Sequence, residues 1–599
     1  MPPSAPSHAP ATLAPPQGEL SQADVAALAR GTAPGARALP TAAIASGAPF
    51  AQAHGAIAAF ALTEAGRERP GSVALNSAPP EHRAPGVARF TFPAPGLTME
   101  GANGLPVVRG ELVIGYTPRE VTKEEEARSD EQSARWAEDV RNAMRHAWSG
   151  YRTYAWGRDE LKPQSKVGAD PWGGIGCTLV DALDTLWLMG LRSEFEEAAR
   201  WAKEKLTFAH AGTVSTFETT IRELGGLLAA HDLSGDAGLL ARAEEIGSKL
   251  VRAFDGGTMP SGQVDLRSGR GGAHGWSGGS AVLAEVGTLQ VEFRYLAAKT
   301  GKAEYAAKAN RVFEVLSRQH PAHGLYPIYV RNDGGMSGQV TFGALGDSFY
   351  EYLLKMWIQG GKVETHLRRM YDAAMDGVVS VLLQRSSPSG LAYLGDYDGG
   401  RIVHKMDHLA CFIAGTLALG AHTSPDGLRS ARAQRDLLVA KAVCYTCYEM
   451  YARMPTGIAP EYVTFNKNGG GAGADFSPGA SAGFYILRPE TVESLFVLHQ
   501  LTRDPIYREW SRKIFEAIEK HCKTSVGYGA LPDVRSSNRR PDDRMESFFL
   551  AETLKYLYLI QDPHHPIDIV NGYVFNTEAH PLRILGGSGV HISQQLSAG

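Results

Sequence analysis

The sequence predicts an all-α fold, and three observations support this prediction. Apolar residues recur at the three- and four-residue spacing of amphipathic helices from Glu124 onward. Gly, Pro and Asp residues interrupt this spacing where helices would end. The helical segments come in pairs joined by loops, as in folds that pack helix on helix. By number, the predicted helices span 126–149, 179–205, 216–231, 236–253, 280–299, 303–319, 346–359, 364–384, 404–419, 427–452, 489–502, 504–519 and 545–560.

The loops between these helices favour a closed ring over an open row. Paired long helices without a sequence repeat either stack as an open solenoid or close into a toroid of helical hairpins. The loops 255–279, 386–402 and 465–484 are long and rich in Gly, as expected of loops that shape a cleft at one end of a barrel. After the last helix, Asn571–Gly572 predicts a hairpin turn between two β-prone runs.

Composition divides the chain into four parts. Residues 1–88 are dense in Pro, Ala, Gly and Ser and bury too little apolar surface to offset the entropy of ordering, so we expect a disordered tail. Residues 89–120 hold short β-type runs broken by Pro and Gly, which predict an irregular segment with a few strands. The helical domain is expected to span 121–586, and a short tail follows at 587–599.

Charge and hydropathy exclude several function classes. The 599 residues carry 60 Lys and Arg against 64 Asp and Glu, a formal net charge of −4, so no global basic field would attract nucleic acid. No window reaches the roughly 18 consecutive apolar residues of a membrane-spanning helix. The N-terminus lacks the charged-then-apolar order of a signal peptide. We therefore expect a soluble globular protein with a small ligand of little charge.

Acidic residues lie on the apolar faces of the predicted helices. Glu285, Leu289, Glu292 and Leu296 are spaced to share one helix face. Any one such carboxylate could be a helix-start residue or part of a solvated face. Repeated in several helices, they indicate a shared acidic cavity, because burying unpaired charge is costly. Such a cavity suits glycoside hydrolysis or an oxygen-ligand metal site, hence calcium rather than zinc. The other acids in this pattern are Asp181, Asp184, Glu218 with Arg222, Asp347, Glu351, Glu490, Glu493, Glu546 and Glu552.

Long ordered motifs between Ala127 and Leu585 resemble the class I α-1,2-mannosidases, glycoside hydrolase family 47. The resemblance implies an (α/α)7 barrel, with a C-terminal β-hairpin plugging one end and the active site at the barrel floor. It also implies calcium-dependent, inverting hydrolysis of terminal α-1,2-linked mannose from high-mannose N-glycans, from Man9GlcNAc2 toward Man5GlcNAc2. The motifs are YAWGRDELKP, VDALDTLWLMGL, FETTIRELGGLL, LGDSFYEYLLK, MDHLACF, YARMPTGIAPE, LRPETVESL, MESFFLAETLKYLYL and FNTEAHP.

The resemblance assigns roles to residues that match these motifs. Glu218 resembles the general acid, Asp347 is a second acid-side candidate, and Glu461 is a further carboxylate with a catalytic role in the family. Glu490 resembles the base that activates water. Thr577 resembles the Ca2+ ligand, binding through its hydroxyl and its carbonyl. Which acid-side residue donates the proton stays open. The residues expected to hold substrate or water around them are Arg222, Glu292, Glu351, His408, Glu493, Phe548, Glu552 and Glu578.

Cysteine usage has two interpretations. Taken alone, Cys444 and Cys447 form a lone CxxC without the second pair that a zinc site needs. The family resemblance instead implies a disulfide between Cys411 and Cys447, and hence an oxidising secretory lumen. The remaining Cys177, Cys444 and Cys522 would be free, or one pair would form. Relatives usually carry an N-terminal membrane anchor or signal peptide, and neither is legible in this sequence.

Leu345, two residues before Asp347, bears on the subgroup. Endoplasmic reticulum enzymes of this family tend to carry Arg at this position and Golgi enzymes carry Leu. An Arg can bind several sugars and favour one glycan branch, whereas Leu cannot. We therefore expect a Golgi-like, monomeric enzyme of broad trimming. Two alternatives are a lectin-like protein of the degradation-enhancing branch and a non-catalytic helical scaffold.

Overall fold

The computed structural model describes residues 88–92, 110–118, 120–467 and 474–585. Nearly all of the predicted N-terminal tail, 1–88, lies outside these residues, as does the predicted C-terminal tail, 587–599. The first helix begins after Thr122, whose hydroxyl accepts the backbone N–H of Glu125 while the Glu125 carboxylate accepts the backbone N–H of Thr122. This reciprocal capping fixes where the helical domain starts.

The described chain is dominated by α-helices, with three π-helical segments at Thr220–Leu224, Val378–Leu382 and Phe549–Thr553. The helices are α1 (Lys123–Tyr154), α2 (Cys177–Asp181), α3 (Leu183–Leu188), α4 (Arg192–Glu204), α5 (Thr216–Thr219), α6 (Gly225–Ser234), α7 (Ala237–Leu250), α8 (Leu283–Val286), α9 (Gln290–Thr300), α10 (Ala303–Leu316), α11 (Asp347–Gln359), α12 (Thr365–Gly377), α13 (Phe412–His422), α14 (Ala431–Ala452), α15 (Glu490–Thr502), α16 (Ile506–His521) and α17 (Leu554–Gln561).

Short antiparallel strands occupy the loops between the helices. They form small separate sheets, so no large sheet organises the described residues. The strands are β1 (Ala88–Phe92), β2 (Gly110–Ile114), β3 (Glu160–Lys162), β4 (Val167–Ala169), β5 (Thr213–Ser215), β6 (Gln263–Asp265), β7 (Gly271–Gly272), β8 (Ala281–Val282), β9 (Tyr329–Val330), β10 (Met336–Ser337), β11 (Leu383–Arg385), β12 (Ala392–Leu394), β13 (Asp396–Asp398), β14 (Arg401–Val403), β15 (Lys405–Asp407), β16 (Tyr462–Phe465), β17 (Phe476–Pro478), β18 (Tyr573–Phe575) and β19 (Pro581–Arg583).

The helices pack in consecutive pairs, and the two ends of the row meet. The pairs α6–α7, α9–α10, α11–α12, α13–α14 and α15–α16 each form a contact between neighbours in sequence. A second set of contacts runs α3–α6–α9–α11–α13–α15–α17, joining one member of each pair to the next. The π-helical segment Phe549–Thr553, which leads into α17, contacts α3 at the start of this series, and α17 also packs against α1. An open solenoid would leave these ends apart, so the predicted all-α class is confirmed and the row is closed.

Several predicted helix boundaries were wrong. The segment 179–205 is divided among α2, α3 and α4, with Gly190 in a left-handed conformation before α4 begins. The segment 280–299 is divided between α8 and α9, so Glu285 and Glu292 do not share one helix face. The segment 404–419 begins as β15, and α13 starts only at Phe412. The apolar residues keep their helical spacing across each break, so this spacing does not reveal where the helices end.

The C-terminal hairpin forms, but its turn lies elsewhere than predicted. Strands β18 and β19 pair antiparallel from Tyr573 with Arg583 to Phe575 with Pro581. Asn571–Gly572 precedes β18, and the residues 576–580 make the connection. The loop is held by side-chain contacts that a two-residue turn motif does not reveal. β18 contacts α11 and β19 contacts α6. The hairpin therefore packs against two helices of the series α3–α6–α9–α11–α13–α15–α17.

The expected disulfide is present. Cys411 and Cys447 are bonded, with Cα atoms 5.9 Å apart, and they join the start of α13 to α14. Cys177, Cys444 and Cys522 are free and buried. Among the described residues, no helix has both the length and the apolar character needed to cross a bilayer.

Candidate active site

Arg222 is the central cation of a buried acidic cluster. It lies in the π-helical segment Thr220–Leu224, which continues directly from α5. A π-helical turn widens the backbone locally and is frequent at functional sites. The Arg222 guanidinium lies 2.8 Å from Glu218, donates to Ser547 Oγ at 3.0 Å and pairs with the Glu578 carboxylate. Asp181 lies 3.5 Å away.

The carboxyl groups around Arg222 differ in the direction in which their pKa values are shifted. Burial raises the pKa of Glu218 despite the charge of Arg222 beside it. Burial also raises the pKa of Glu578 well above its usual range. Burial alone would raise the pKa of Asp181, but hydrogen bonds from His580 and the charge of Arg222 hold it below the usual value. The cluster therefore holds protonated and ionised acids side by side.

The turn 576–580 is anchored by buried side chains from the helical wall. The Asn576 amide donates to the Ile221 carbonyl and to Glu292, both at 2.8 Å. The Asn576 side-chain oxygen accepts the backbone N–H groups of Glu578 and His580 at 3.0 and 2.8 Å. These contacts fix the conformation of the turn against the helices.

Two further residues, His580 and Lys555, fix the far end of the same turn. The His580 ring lies 3.1 Å from Asp181 and 3.0 Å from Asp184. Lys555 lies 2.8 Å from Asp184 and donates to the Ala579 carbonyl at 2.6 Å. All these side chains are fully or almost fully buried. The turn is thus held by charged contacts that an apolar core alone would not supply.

Thr577 lies in this turn, with its hydroxyl toward the carboxylate of Glu351. Its hydroxyl donates to Glu351 Oε2 at 2.8 Å, and its backbone N–H donates to the Tyr352 hydroxyl at 3.3 Å. Within the described residues, no donor bonds to the Thr577 carbonyl. A free carbonyl and a hydroxyl beside carboxylates are hard oxygen ligands of the kind that calcium prefers.

The surroundings of Thr577 fit a metal whose shell is mostly water. In the part of the chain that the structure describes, no three Asp, Glu, His or Cys side chains converge as a ready metal cage. One Glu292 oxygen accepts from Tyr352 at 2.6 Å, while the other is buried without a hydrogen-bond partner. The protein would supply the Thr577 oxygens, and carboxylates such as Glu292 would hold water around them.

Glu490 is held ionised at the start of α15. His408 Nδ1 lies 2.6 Å from Glu490 Oε2, and Arg488 Nη1 lies 3.6 Å from Oε1. Burial alone would raise the pKa of Glu490, but the His408 hydrogen bond and the charge of Arg488 bring it below the usual value. His408 is in turn fixed by the Tyr451 hydroxyl, 2.7 Å from its Nε2. Arg488 also binds both oxygens of Glu461.

Asp347 has the opposite character. It is the first residue of α11, and its carboxylate accepts the backbone N–H of Ser348 at 2.8 Å. Burial raises the pKa of Asp347 to about 7, and the charges of Glu351 and Glu490 add to the shift. Asp347 is therefore a carboxyl group that titrates near neutral pH, whereas the pKa of Glu490 lies below its usual value.

Other predicted site acids have raised pKa values. Burial raises the pKa of Glu292 to about 7. Burial and the charge of Glu351 raise the pKa of Glu493 to about 8. Burial, with Glu490 and Glu493, raises the pKa of Glu552 well above its usual range. The charges of neighbouring acids contribute to the shifts of Glu493 and Glu552, so these two residues lie near Glu351 and Glu490.

Apolar rings border the acids. Phe548 is buried, and the Arg222 guanidinium lies 5.7 Å from the centre of its ring. The same guanidinium lies 5.2 Å from the centre of the Trp172 ring. A cavity of about 140 Å3 is lined by loop residues that include His274 and Glu285, which lie 3.0 Å apart, and by none of the residues to which the resemblance assigns a role. Rings next to carboxyl groups are typical of sugar-binding cavities.

The sequence missed the cations that pair with the acids. Arg488 directly precedes Pro489 and Glu490, and His580 lies in the FNTEAHP motif, so both were visible as neighbours of predicted residues. Lys355 and Lys555 carry no such signal, because a Lys on a helix usually faces solvent. Only the three-dimensional packing shows that both are buried.

The helix-rich fold and its buried cluster of acids are consistent with a glycosidase, a class of enzyme in which carboxyl groups act as acid and base. The comparisons with known proteins give the family. The model of glycosyl hydrolase family 47 matches residues 143–584. The chain belongs to this family of glycosidases.

Similar proteins agree with this assignment. A mannosyl-oligosaccharide 1,2-alpha-mannosidase of Arabidopsis thaliana is 44% identical over 79% of this chain and 82% of its own length. The endoplasmic reticulum mannosyl-oligosaccharide 1,2-alpha-mannosidase of Rattus norvegicus is 43% identical over 74% of this chain and 67% of its own length. The solved α-1,2-mannosidase from Trichoderma reesei superposes with a TM-score of 0.69 at 28% identity, covering 75% of this chain and 99% of that one.

The raised pKa values predict a stability that falls with pH when no metal is bound. The pKa values of Asp347, Glu292 and Glu493 are raised to about 7, 7 and 8. A carboxyl with a raised pKa stabilises the fold below its unfolded value, and this contribution is lost as pH rises through the folded value. In chelator, the free energy of unfolding should fall by about 1–2 kcal/mol between about pH 7 and about pH 8.5, measured by urea denaturation.

Glu493→Gln provides the control for this pH dependence. It removes the group with the highest of these pKa values, so the variant should lose much less stability over the same pH range. An unchanged or rising stability of the native protein over this range would contradict the assigned protonation states.

Proposed function

We propose that the protein is a calcium-dependent, inverting mannosyl-oligosaccharide 1,2-α-mannosidase that trims high-mannose N-glycans from Man9GlcNAc2 toward Man5GlcNAc2. One observation carries the proposal: a buried cluster of acids holds Glu490, whose surroundings favour the ionised form, together with Asp347 and Glu218, in which burial favours the protonated form. Hydrolysis of a glycosidic bond needs this pair of states. Family membership and the names of the similar proteins support the substrate class.

Glu490 acts as the general base. Its carboxylate takes a proton from water, and the adjacent His408 and Arg488 stabilise the ionised form before the reaction. Water then attacks the anomeric carbon from the face opposite the leaving oxygen. Glu218 or Asp347 gives a proton to that oxygen, since burial raises the pKa of both. Glu461, fixed by Arg488, shapes the same wall.

The Thr577 hydroxyl and carbonyl would hold the calcium ion. Bound calcium would supply positive charge and would be coordinated by the oxygens of water and of sugar hydroxyls. Glu351, Glu493, Glu552 and Glu578 orient those waters or the sugar. Glu292 has the same role, Arg222 and His408 line the pocket, and Phe548 gives the terminal mannose an apolar floor. The Thr577 hydroxyl beside Glu351 and the unpartnered oxygen of Glu292 support this arrangement.

The same proposal covers the architecture. We assign residues 121–586 to an (α/α)7 barrel, with the hairpin β18–β19 plugging one end. The continuous contacts among α3, α6, α9, α11, α13, α15 and α17, and the contacts of the hairpin with α6 and α11, support it. A plug that carries Thr577 would place the metal at the barrel floor.

We assign the protein to the lumen of the secretory pathway, as a monomer, with the Golgi favoured over the endoplasmic reticulum. The disulfide between Cys411 and Cys447 supports an oxidising compartment. The Golgi preference rests on Leu345, since a relative named for the endoplasmic reticulum and one not so named are equally identical to this chain. A lectin of the degradation-enhancing branch is the alternative, and catalytic turnover distinguishes the two.

Glu490→Gln tests the base. The amide keeps the size of the side chain but cannot accept a proton from water, so turnover of an α-1,2-linked mannobiose should fall by roughly 10²–10⁴-fold. Disaccharide binding, measured by calorimetry, should largely persist. Glu516→Gln, an exposed change on the outer helix α16, is the matched control and should retain full activity. If Glu490→Gln kept half its rate, the base would have to be Glu461 or Asp347.

Calcium dependence is tested on the same substrate. Chelation should abolish hydrolysis and added calcium should restore it. Thr577→Val removes the hydroxyl and should weaken calcium binding, measured by calorimetry, while the helices stay folded. Thr446→Val, a buried hydroxyl within α14, is the matched control and should bind calcium as the native protein does. Full activity in excess chelator, or equal restoration by zinc, would overturn the calcium assignment.

Leu345→Arg tests branch choice. Leu345 is buried, and its carbonyl accepts the Ala284 N–H at 3.0 Å, just before the Asp347 helix. The native enzyme should remove several α-1,2-mannoses without stopping at one Man8 isomer, because no guanidinium favours one branch. In Leu345→Arg, later cleavages should slow relative to the first by roughly 10- to 200-fold, measured by glycan profiling over time.

Leu345→Met is the control for this substitution. It keeps an apolar side chain of similar volume and should leave the product profile unchanged. A native enzyme that halts at one Man8 isomer would contradict the assignment of Leu345 as the residue that permits broad trimming.

A further inference from the structure

Lys355 places a buried ammonium beside the proposed calcium ligand. It lies in α11, one turn after Glu351, and its side chain is 8% exposed. Its Nζ pairs with Glu351 Oε1, donates to the Asn576 carbonyl at 3.3 Å and lies 4.0 Å from Glu493. A Lys in this setting has exchanged its hydration for contacts with carboxylates and a carbonyl.

The same contacts connect Lys355 to Thr577 from two sides. Asn576 is the residue before Thr577, so the ammonium binds the peptide group that leads into the proposed ligand. Glu351 links the two residues directly, because one of its oxygens pairs with Lys355 and the other accepts the Thr577 hydroxyl at 2.8 Å. A cation bound at Thr577 would therefore share its nearest carboxylate with Lys355.

Electrostatics gives this arrangement two opposing effects. Without a metal, the positive charge of Lys355 offsets the mutual repulsion of Glu351 and Glu493 in a buried site. With a divalent cation at Thr577, two like charges stand in one carboxylate cluster and repel each other. The lysine thus stabilises the metal-free protein and lowers the affinity for the metal.

We propose that Lys355 is an internal counter-cation of the calcium site, which stabilises the metal-free cluster and limits the affinity for calcium. This inference rests on the proposed calcium site at Thr577. It assigns Lys355 a positioning and affinity-setting role toward the metal, distinct from the residues that contact substrate.

Lys555, in α17, offers a matched comparison because it contacts the same turn. It is also a buried Lys, pairs with Asp184 at 2.8 Å and donates to the Ala579 carbonyl at 2.6 Å. It therefore anchors the turn 576–580 as Lys355 does. Among the described residues, its ammonium forms no hydrogen bond or ion pair with Glu351 or Thr577. Its loss should disturb the turn without changing the charge next to the metal.

The experiment compares the native protein with Lys355→Met and Lys555→Met. Thermal unfolding is followed in chelator and in saturating calcium, and calcium affinity is measured by calorimetry. Lys355→Met should unfold at a lower temperature in chelator, gain more from calcium than the native protein, and bind calcium about tenfold more tightly. Lys555→Met should lose stability equally in both conditions, with an unchanged calcium increment.

Each outcome bears on a different claim. If calcium does not stabilise the native protein, the proposed calcium site fails and this inference with it. If calcium stabilises the native protein but Lys355→Met shows the same increment or weaker binding, the lysine is a structural or ligand-orienting residue and only the inference fails. If Lys355→Met unfolds in chelator, calcium should restore a cooperative transition, and a variant that stays unfolded in calcium would overturn the inference.

Discussion

The pairing of buried charge around the turn 576–580 is the constraint on which the site depends. Asp181 and Asp184 from the first helices meet His580 from the hairpin, and Arg222 joins Glu218 to Glu578. Removing one partner of such a network leaves an uncompensated charge in the interior, which is strongly destabilising. The network therefore ties the end of the chain to its early helices and fixes where Thr577 lies. Function and fold share the same contacts here.

A second set of buried charges, around Glu490 and Asp347, sets the protonation states that the proposed catalysis needs. Glu490 has two nearby nitrogen-bearing partners, His408 and Arg488, so its ionised form is favoured despite burial. Asp347 lies among carboxylates instead, which makes its ionised form costly. Neighbouring groups thus separate the pKa values of two similar side chains in one cavity. Acid and base are assigned by their surroundings, because their chemistry alone does not distinguish them.

Much of this site was predictable from the sequence, because the acids fall in long motifs at helix starts. Glu490 after Pro489 and Asp347 at the start of α11 are examples. The disulfide was predictable through the family resemblance. Helix breaks at Gly190 and between α8 and α9 were not, since apolar spacing continues through them. The turn of the C-terminal hairpin was misplaced because Asn576 and His580, not Asn571–Gly572, hold it. Buried lysines are the other gap, because only long-range contacts bring Lys355 and Lys555 inside.

The stereochemistry of the released sugar tests the central claim most directly, that Glu490 activates water opposite a protonated acid. Proton NMR of an α-1,2-linked mannobiose digest, recorded within the first turnovers, identifies the anomer that appears before mutarotation. Attack of a base-activated water on the face opposite the leaving oxygen inverts the anomeric carbon, so β-mannose should appear first. Initial release of α-mannose would show retention, and would mean that a carboxylate of this cluster acts as a nucleophile and not as a base.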